Sequence, residues 1–242
     1  MYSIDIPGKT IGFDSPVFVI AEVGINHNGD MALAEKLLRA AAESGADAVK
    51  LQTYVTEKRV PTDSPIYSLL KNCELSYDQQ RELFALGADL GVTVFSTPFD
   101  DEAVEFLVEA GAPLMKVASF DVVNGALLAA IAKAKLPVIL SRGMAAQDEL
   151  DQALAALDAH DVQSAVLHCI SAYPVKHDKD LNLLTIAYLA DTYQRPTGFS
   201  DHTIGIDAPV WAVAAGATII EKHFTLDTAM EGPDHAMSAD PD

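Results

Sequence analysis

The chain has 242 residues, half of them apolar, with 16 basic and 35 acidic side chains for a formal charge of −19. That is enough for one substantial core, and so acidic a surface argues against nucleic acid as a partner; an anionic substrate needs a local positive pocket set against it. No apolar run reaches the ~20 residues of a membrane span, no basic-then-apolar leader opens the chain, and two cysteines, Cys73 and Cys169, make neither a disulfide framework nor a cysteine-rich zinc site; a soluble, cytoplasmic protein is the expectation.

In chain order, short apolar runs alternate with amphipathic ones. After a lead-in of residues 1–16, the first strand is predicted in VFVIAEV from Val17. MALAEKLLRAAAESG from Met31 then repeats apolar residues at helical spacing and ends in glycine. AVKLQT from Ala48 is the second strand, and the segment 55–77 after it is the longest insertion between a strand and its helix. TVFSTP from Thr93 precedes an N-cap at Asp100 and the helix DEAVEFLVEAG from Asp101. MKVAS (Met115), PVILS (Pro137), AVLHC (Ala165), TGFSD (Thr197) and TIIEKHFT (Thr218) complete eight strands. DELDQALAALDAH and LLTIAYLADTY are further helical runs, without a terminal glycine. Strict βα alternation predicts a parallel sheet with helical crossovers. Eight such strands in ~250 residues predict an α/β fold, a (β/α)8 TIM barrel forming one domain over 1–242. A doubly wound open sheet is the alternative, and no GxGxxG follows the first strand to support it. No helical run follows the eighth strand, where the chain reads DTAMEGPDHAMSADPD. The expectation is a barrel lacking its last helix, whether left open, truncated or covered by another subunit.

Barrel enzymes hold their chemistry at the C-terminal ends of the strands, and long βα loops lie over that face, so 55–77 is a candidate lid. The polar residues gather there. Glu22 ends strand one, ahead of Asn26, His27 and Asn28. Lys50 and Gln52 lie on strand two, Ser96 and Thr97 on strand three, Lys116 and Ser119 on strand four, Ser141 and Arg142 on strand five. His168 ends strand six, with Ser171 and Tyr173 beyond. Ser200, Asp201 and His202 end strand seven, and strand eight carries Glu221, Lys222 and His223. A buried strand seldom holds lysine unless its charge is paired. Lys50 and Lys116 directed into the barrel mouth would form the positive pocket the surface lacks, with the hydroxyls of Thr97, Ser119 and Ser141 on the same phosphate or carboxylate. Pairing of the strand lysines with acidic residues across the barrel is the plainer reading.

His202 and His223, at the ends of neighbouring strands, are candidate ligands of a divalent ion, with Glu22 adding an oxygen directly or through water. A shell completed by oxygens suits Mn²⁺ or Mg²⁺ over structural zinc. Two histidines and a carboxylate also describe the facial triad of oxygenases, in which the lysines have no part. His168 reads as a hydrogen-bonded structural residue. Asn26–Gly29 reads as a turn and helix cap, with His27 alternatively a proton carrier. His160 and His177 read as loop residues, and His235, in GPDH, as a loop residue within reach of the barrel mouth.

Together, FVIAEVGINHNGD, GADAVKLQT, FSTPFD, KVAS, ILSRGMA, LHCISAYP, GFSDHTIGI, IIEKHFTLD and GPDHAMS, spread from Val17 to Ser238, resemble the N-acetylneuraminate (sialic acid) synthase family, which includes pseudaminic and legionaminic acid synthases and spore-coat polysaccharide relatives. The resemblance implies a transferase of nonulosonic acid biosynthesis. Phosphoenolpyruvate adds through C3 to the open-chain aldehyde of an N-acylated hexosamine such as N-acetylmannosamine, water attacks C2, and phosphate leaves by C–O cleavage. It implies a divalent ion on His202 and His223, typically Mn²⁺ with Mg²⁺ or Co²⁺ as alternatives, polarising the aldehyde oxygen. It implies Glu22 as base or water-orienting group. Lys50, Thr97, Lys116, Ser119, Ser141 and Ser200 match phosphoenolpyruvate contacts, and Gln52, Tyr173 and Asp234 match sugar-side positions. A homodimer is implied as well. Family members continue with a last helix, a linker and an antifreeze-like domain that supplies an arginine to the sugar's acyl group in the partner's barrel; the expectation is that this chain carries the barrel alone.

Ser171, Phe120, Asp121 and Arg142 depart from the sialic acid pattern. SAYP is similar to pseudaminic acid synthases, whereas AEVGINHNGD and GPDH are similar to the sialic or legionaminic side, so the acceptor sugar stays open. Two other readings stand beside this one. A phosphoenolpyruvate-dependent condensing enzyme with a phosphorylated aldose as acceptor would be favoured by a basic cluster in the long loop, where Lys58, Arg59 and Lys71 mix with Glu57, Asp63 and Glu74. A shortened, non-catalytic barrel would bind phosphoenolpyruvate or a partner subunit without turnover.

Overall fold

The computed structural model describes residues 3–242. The lead-in is not a featureless approach to the barrel. Ser3–Ile6 (β1) and Lys9–Gly12 (β2) pair as an antiparallel hairpin, turned at Gly8, whose φ of 78° suits glycine. The first barrel strand follows, Phe18–Gly24 (β3). Then come α1 (Met31–Glu43), β4 (Ala48–Thr53), two short helices α2 (Thr56–Arg59) and α3 (Tyr67–Asn72), and α4 (Tyr77–Leu90). The alternation continues with β5 (Thr93–Pro98), α5 (Asp101–Glu109), β6 (Met115–Val117), α6 (Gly125–Ala134), β7 (Val138–Arg142), α7 (Gln147–Asp158), β8 (Ser164–Cys169), α8 (Leu184–Tyr193), β9 (Thr197–Asp201), α9 (Asp207–Ala214) and β10 (Ile219–His223). Strands β3 to β10 pair in parallel and close on themselves through β10 and β3. This is the (β/α)8 barrel expected from the alternation.

Local chemistry sets the helix limits. Asp30 and Asp100 accept backbone N–H bonds at the starts of α1 and α5, and Ser76 with Gln79 forms a capping box at α4. The two helical runs without a terminal glycine turn at other residues: Asp161 after α7 has φ 58° and Gln194 after α8 has φ 52°. After β10 no α-helix forms among the described residues. The chain makes a 3₁₀ turn at His235–Met237 and folds back, with Thr225 N donating to Ala239 O at 2.9 Å and Ala239 N to His223 O at 2.8 Å. No helix of the described residues is long and apolar enough to cross a membrane.

The two-residue period of the strands sorts side chains into an inner and an outer set. Ala48, Phe95, Leu114, Ile139, Ala165, Leu167 and Ile219 fill the barrel's lower interior, and Ile4, Ile6 and Ile11 of the hairpin join that cluster and close it from below. Their neighbours one step along, such as Val49, Val94, Met115, Leu140 and Ile220, pack outward against the helices. Two residues beyond Ala48, Phe95, Leu114, Ile139 and Ile219, on the same face, stand Lys50, Thr97, Lys116, Ser141 and Glu221. The interior is therefore apolar at the bottom and polar at the mouth.

Candidate active site

The twelve residues matched to metal, base and substrate roles all line one cavity at that mouth. Glu22, Lys50 and Gln52 come from β3 and β4, and Thr97, Lys116 and Ser141 from β5, β6 and β7. Ser200 and His223 come from β9 and β10, while Ser119, Tyr173, His202 and Asp234 stand on loops just past strand ends. The same parity turns other strand-end residues away. Ser96 bonds Thr53 Oγ1 at 2.7 Å, Lys222 pairs with Asp201 at 2.6 Å, and His168 Nε2 lies 2.6 Å from Leu181 O. None of these three lines the cavity.

The floor is a buried ionic cluster. Lys50 Nζ lies 2.8 Å from Glu221 and 3.3 Å from Glu22. Lys116 Nζ lies 3.6 Å from Glu221 and donates to Ser141 Oγ at 2.7 Å, and Ser200 Oγ donates to Glu221 at 2.9 Å. The expected positive pocket is thus corrected: two lysines face two glutamates, because unpaired ammonium groups at this depth would be too costly to desolvate. The four do not share charge evenly. Burial lifts the Glu22 carboxyl to about 7, against the pull of Lys50. Burial would also raise Glu221, but Lys116 and Lys50 overcome it and hold that carboxyl well below its usual range. Burial opposes the charge on Lys50, but Glu22 and Glu221 outweigh it and keep the ammonium above its ordinary value. Lys116, less compensated, is lowered by burial to about 8 in spite of Glu221. Near neutral pH Glu22 is poised between its two forms, so the cluster can become net positive by holding one proton.

This has a consequence for stability. The folded chain binds the Glu22 proton more tightly than the unfolded chain, whose value is 4.5. Stability therefore falls as pH rises from about 4.5 to about 7 and levels off above, a loss of roughly 3 kcal/mol from this group. Glu22→Gln is expected to flatten that slope in thermal midpoints measured between pH 5 and pH 8. An unchanged slope would assign the pH dependence elsewhere.

Above the cluster stand the imidazoles. The rings of His202 and His223 are 5.6 Å apart between centroids, and the Tyr173 ring sits 4.0 Å from His202. Burial depresses both imidazoles, and for His223 the nearby His202 adds to it; both are neutral near pH 7. His202 Nδ1 lies 2.9 Å from Ile170 O. A carbonyl only accepts, so Nδ1 carries the hydrogen and Nε2 keeps a free lone pair. His223 Nδ1 is buried without a hydrogen-bond partner, its nearest carboxylate being Asp234 at 3.7 Å. Two neutral rings with available lone pairs on one wall fit a divalent ion. Among the described residues no group of three or more His, Cys, Asp or Glu side chains could hold a metal. Glu22 is engaged by Lys50 and by Gln52 Nε2 at 3.4 Å. Direct ligation by Glu22 and the facial-triad alternative are therefore set aside, leaving a site in which water or substrate must complete the shell.

The other histidines sort clearly. His27 is outside the cavity, accepts from Gly29 N at 3.0 Å and is lowered by burial to about 4, which removes it as a proton carrier. His235 is buried against Thr225 Oγ1 at 2.7 Å and does not reach the mouth. The cavity also gathers Glu221, Cys169, Arg59, Phe99 and Phe120, which sequence reasoning gave no role. Glu221 was legible in principle, since it shares strand parity with His223. Arg59 was not, since its loop has mixed charge and no period.

A parallel barrel with buried lysines, hydroxyls and paired imidazoles converging at its C-terminal mouth is the architecture of a barrel enzyme. The chain belongs to the NeuB family, whose model matches residues 37–242. It is 40% identical to the N,N'-diacetyllegionaminic acid synthase of Legionella pneumophila over 97% of this chain and 71% of that one. It is 44% identical to an uncharacterized protein of Methanocaldococcus jannaschii over 100% of this chain and 72% of that one. The crystal structure of N-acetylneuraminic acid (sialic acid) synthetase from Leptospira borgpetersenii serovar Hardjo-bovis, in complex with citrate, superposes with a TM-score of 0.96 at 39% identity, covering 99% of this chain and 84% of that one. The homologues are sialic, legionaminic and pseudaminic acid synthases and spore-coat polysaccharide biosynthesis proteins.

Proposed function

We propose that the barrel condenses phosphoenolpyruvate with the open-chain aldehyde of an N-acylated hexosamine, giving a nonulosonic acid and phosphate. The observation that carries this is the joint placement, in one cavity, of the Lys50–Lys116 pair with hydroxyls and the His202–His223 pair. The first group suits an anion, the second a carbonyl activator, and the names of the relatives agree with such a product.

Lys116, Ser141, Ser119 and Thr97 would take the phosphate and carboxylate oxygens, with Lys50 and Ser200 beside them. An arriving anion favours the protonated form of Lys116, which burial, partly offset by Glu221, holds near 8. When bound to His202 and His223, a divalent ion, Mn²⁺ in the first instance, with Mg²⁺ or Co²⁺ as alternatives, would polarise the aldehyde oxygen. Gln52, Tyr173 and Asp234, which line the same cavity, would contact the sugar. C3 of phosphoenolpyruvate forms the new C–C bond to the aldehyde carbon, water adds at C2, and the C–O bond to phosphate breaks. Glu22, near 7 and fixed by Gln52, is suited to take the proton of that water.

The test is phosphate release from phosphoenolpyruvate with Mn²⁺ against a panel of N-acylated hexosamines. Release that needs both substrates and stops with EDTA is the expected result. Release without an acceptor, or undiminished by EDTA, would overturn the reading. Binding of phosphoenolpyruvate with no release on any acceptor would favour a non-catalytic barrel.

A further inference from the structure

The loop between β4 and α4 contains three cations, and two are neutralised on its outer surface. Lys58 pairs with Glu102, and Lys71 pairs with Glu57 and Glu74 at 3.1 Å each. Arg59 behaves differently. Its guanidinium carbon lies 3.7 Å from the centroid of the Phe99 ring and 4.7 Å from that of Tyr54. One Nη donates to Gln52 Oε1 at 3.1 Å. No carboxylate lies within salt-bridge distance of it among the described residues, Asp121 acting on it only through space, and the side chain lines the active cavity. In a chain of net charge −19, a half-buried guanidinium without a direct ion pair among the described residues is an uncommon arrangement. The aromatic faces offset part of its desolvation, but its other N–H groups are left for whatever enters the mouth.

Its position selects what that is. Gln52 bridges Arg59 to Glu22, accepting from the one and donating to the other. A polar rail thus runs from the loop to Glu22 along the β3–β4 wall of the cavity, with β5 between it and Lys116 on β6. On the condensation reading, the lysines and hydroxyls of the floor would serve phosphoenolpyruvate oxygens. Arg59 lines the same cavity from the loop over its mouth and would be left to the second substrate. We propose that Arg59 is a specificity-determining residue for the acceptor, donating in a planar fork to an oxygen-bearing substituent of the sugar. The carbonyl of an N-acyl group and a sugar phosphate share that chemistry. With Lys58 and Lys71 turned outward, no basic cluster supports Arg59, which disfavours the phosphorylated acceptor.

The inference rests on the condensation reading, and the experiment separates the two. Phosphate release and calorimetric binding are measured for the wild-type chain, Arg59→Leu and Arg59→Lys. The acceptors are N-acetylmannosamine, mannosamine and N-acetylmannosamine 6-phosphate, with Mn²⁺ present. Arg59→Leu is expected to raise the KM for N-acetylmannosamine about 10- to 100-fold, the size of a lost charge-assisted hydrogen bond, while the dissociation constant for phosphoenolpyruvate stays unchanged. Arg59→Lys restores little, since an ammonium cannot make the fork. If the acyl carbonyl is the partner, mannosamine is a poor acceptor for all three proteins alike. If a phosphate is the partner, the 6-phosphate gains in the wild type and the gain is lost in both variants. Wild-type turnover with the KM values for both N-acetylmannosamine and its 6-phosphate unchanged in Arg59→Leu, or an equal loss of phosphoenolpyruvate affinity, overturns the role of Arg59 and leaves the reaction standing. No turnover and no phosphoenolpyruvate binding by the wild type overturns both.

Discussion

Replacing His223 by alanine should abolish metal-dependent phosphate release, by about a thousandfold or more, while phosphoenolpyruvate binding measured without metal changes little. The size follows from what the imidazole would hold. Lewis-acid stabilisation of a developing alkoxide is worth several kcal/mol, and each 1.4 kcal/mol is about tenfold in rate. His223 has the signs of a ligand more than of a packing residue. It is buried, it is neutral, and its Nδ1 has no hydrogen-bond partner. An ordinary core histidine satisfies both nitrogens; His168 shows half of that behaviour through Leu181 O. His202→Ala should act alike, and the double variant should lose no more than either single one, since both rings would serve one ion. Titration of Mn²⁺ by calorimetry gives a readout independent of turnover. Unaltered Mn²⁺ affinity in either variant would return these histidines to a structural role.

The second large effect is expected at Glu221. Glu221→Gln should lower stability by about 3–5 kcal/mol, since it leaves Lys50 and Lys116 facing one another in a buried site. In a chain of this size that is a fall in midpoint of roughly 6–20 °C. Part of the loss is recovered because Lys116, already held to about 8 by burial, sheds its proton. Inorganic phosphate or phosphoenolpyruvate should restore the midpoint further in this variant than in the wild type, by putting negative charge back between the lysines. Glu22→Gln is the internal control. Glu22 is raised to about 7, so at neutral pH it is already partly uncharged and its neutral replacement should cost far less. Equal losses in the two variants would mean that the asymmetry of the cluster is wrong. The contrast arises from partners, since Glu221 touches both lysines and a serine while Glu22 touches one lysine and an amide.

The order of elements was legible because each strand is a short apolar run and each crossover an amphipathic one, and eight repeats of that unit leave few ways to bury every strand. The placing of functional residues at strand ends was legible for the same reason, since a parallel barrel puts all C-terminal ends at one mouth. Those are local properties, carried by spacing within a dozen residues. What the tertiary structure decided was pairing. That Lys50 meets Glu221 as well as Glu22, so that the pocket is balanced instead of positive, depends on the register of β10 against β3 across a barrel closure of some two hundred residues. That residues 3–12 close the bottom of the barrel, and that the segment after β10 folds back to bring Asp234 over His223, depends on packing no period announces. Arg59 is the plainest case. In the sequence it is one cation among mixed charges, and only the rings of Tyr54 and Phe99, contributed by two strand ends, turn it inward. Charge balance in a buried site is a sum over neighbours in space, and a sequence gives neighbours along the chain alone.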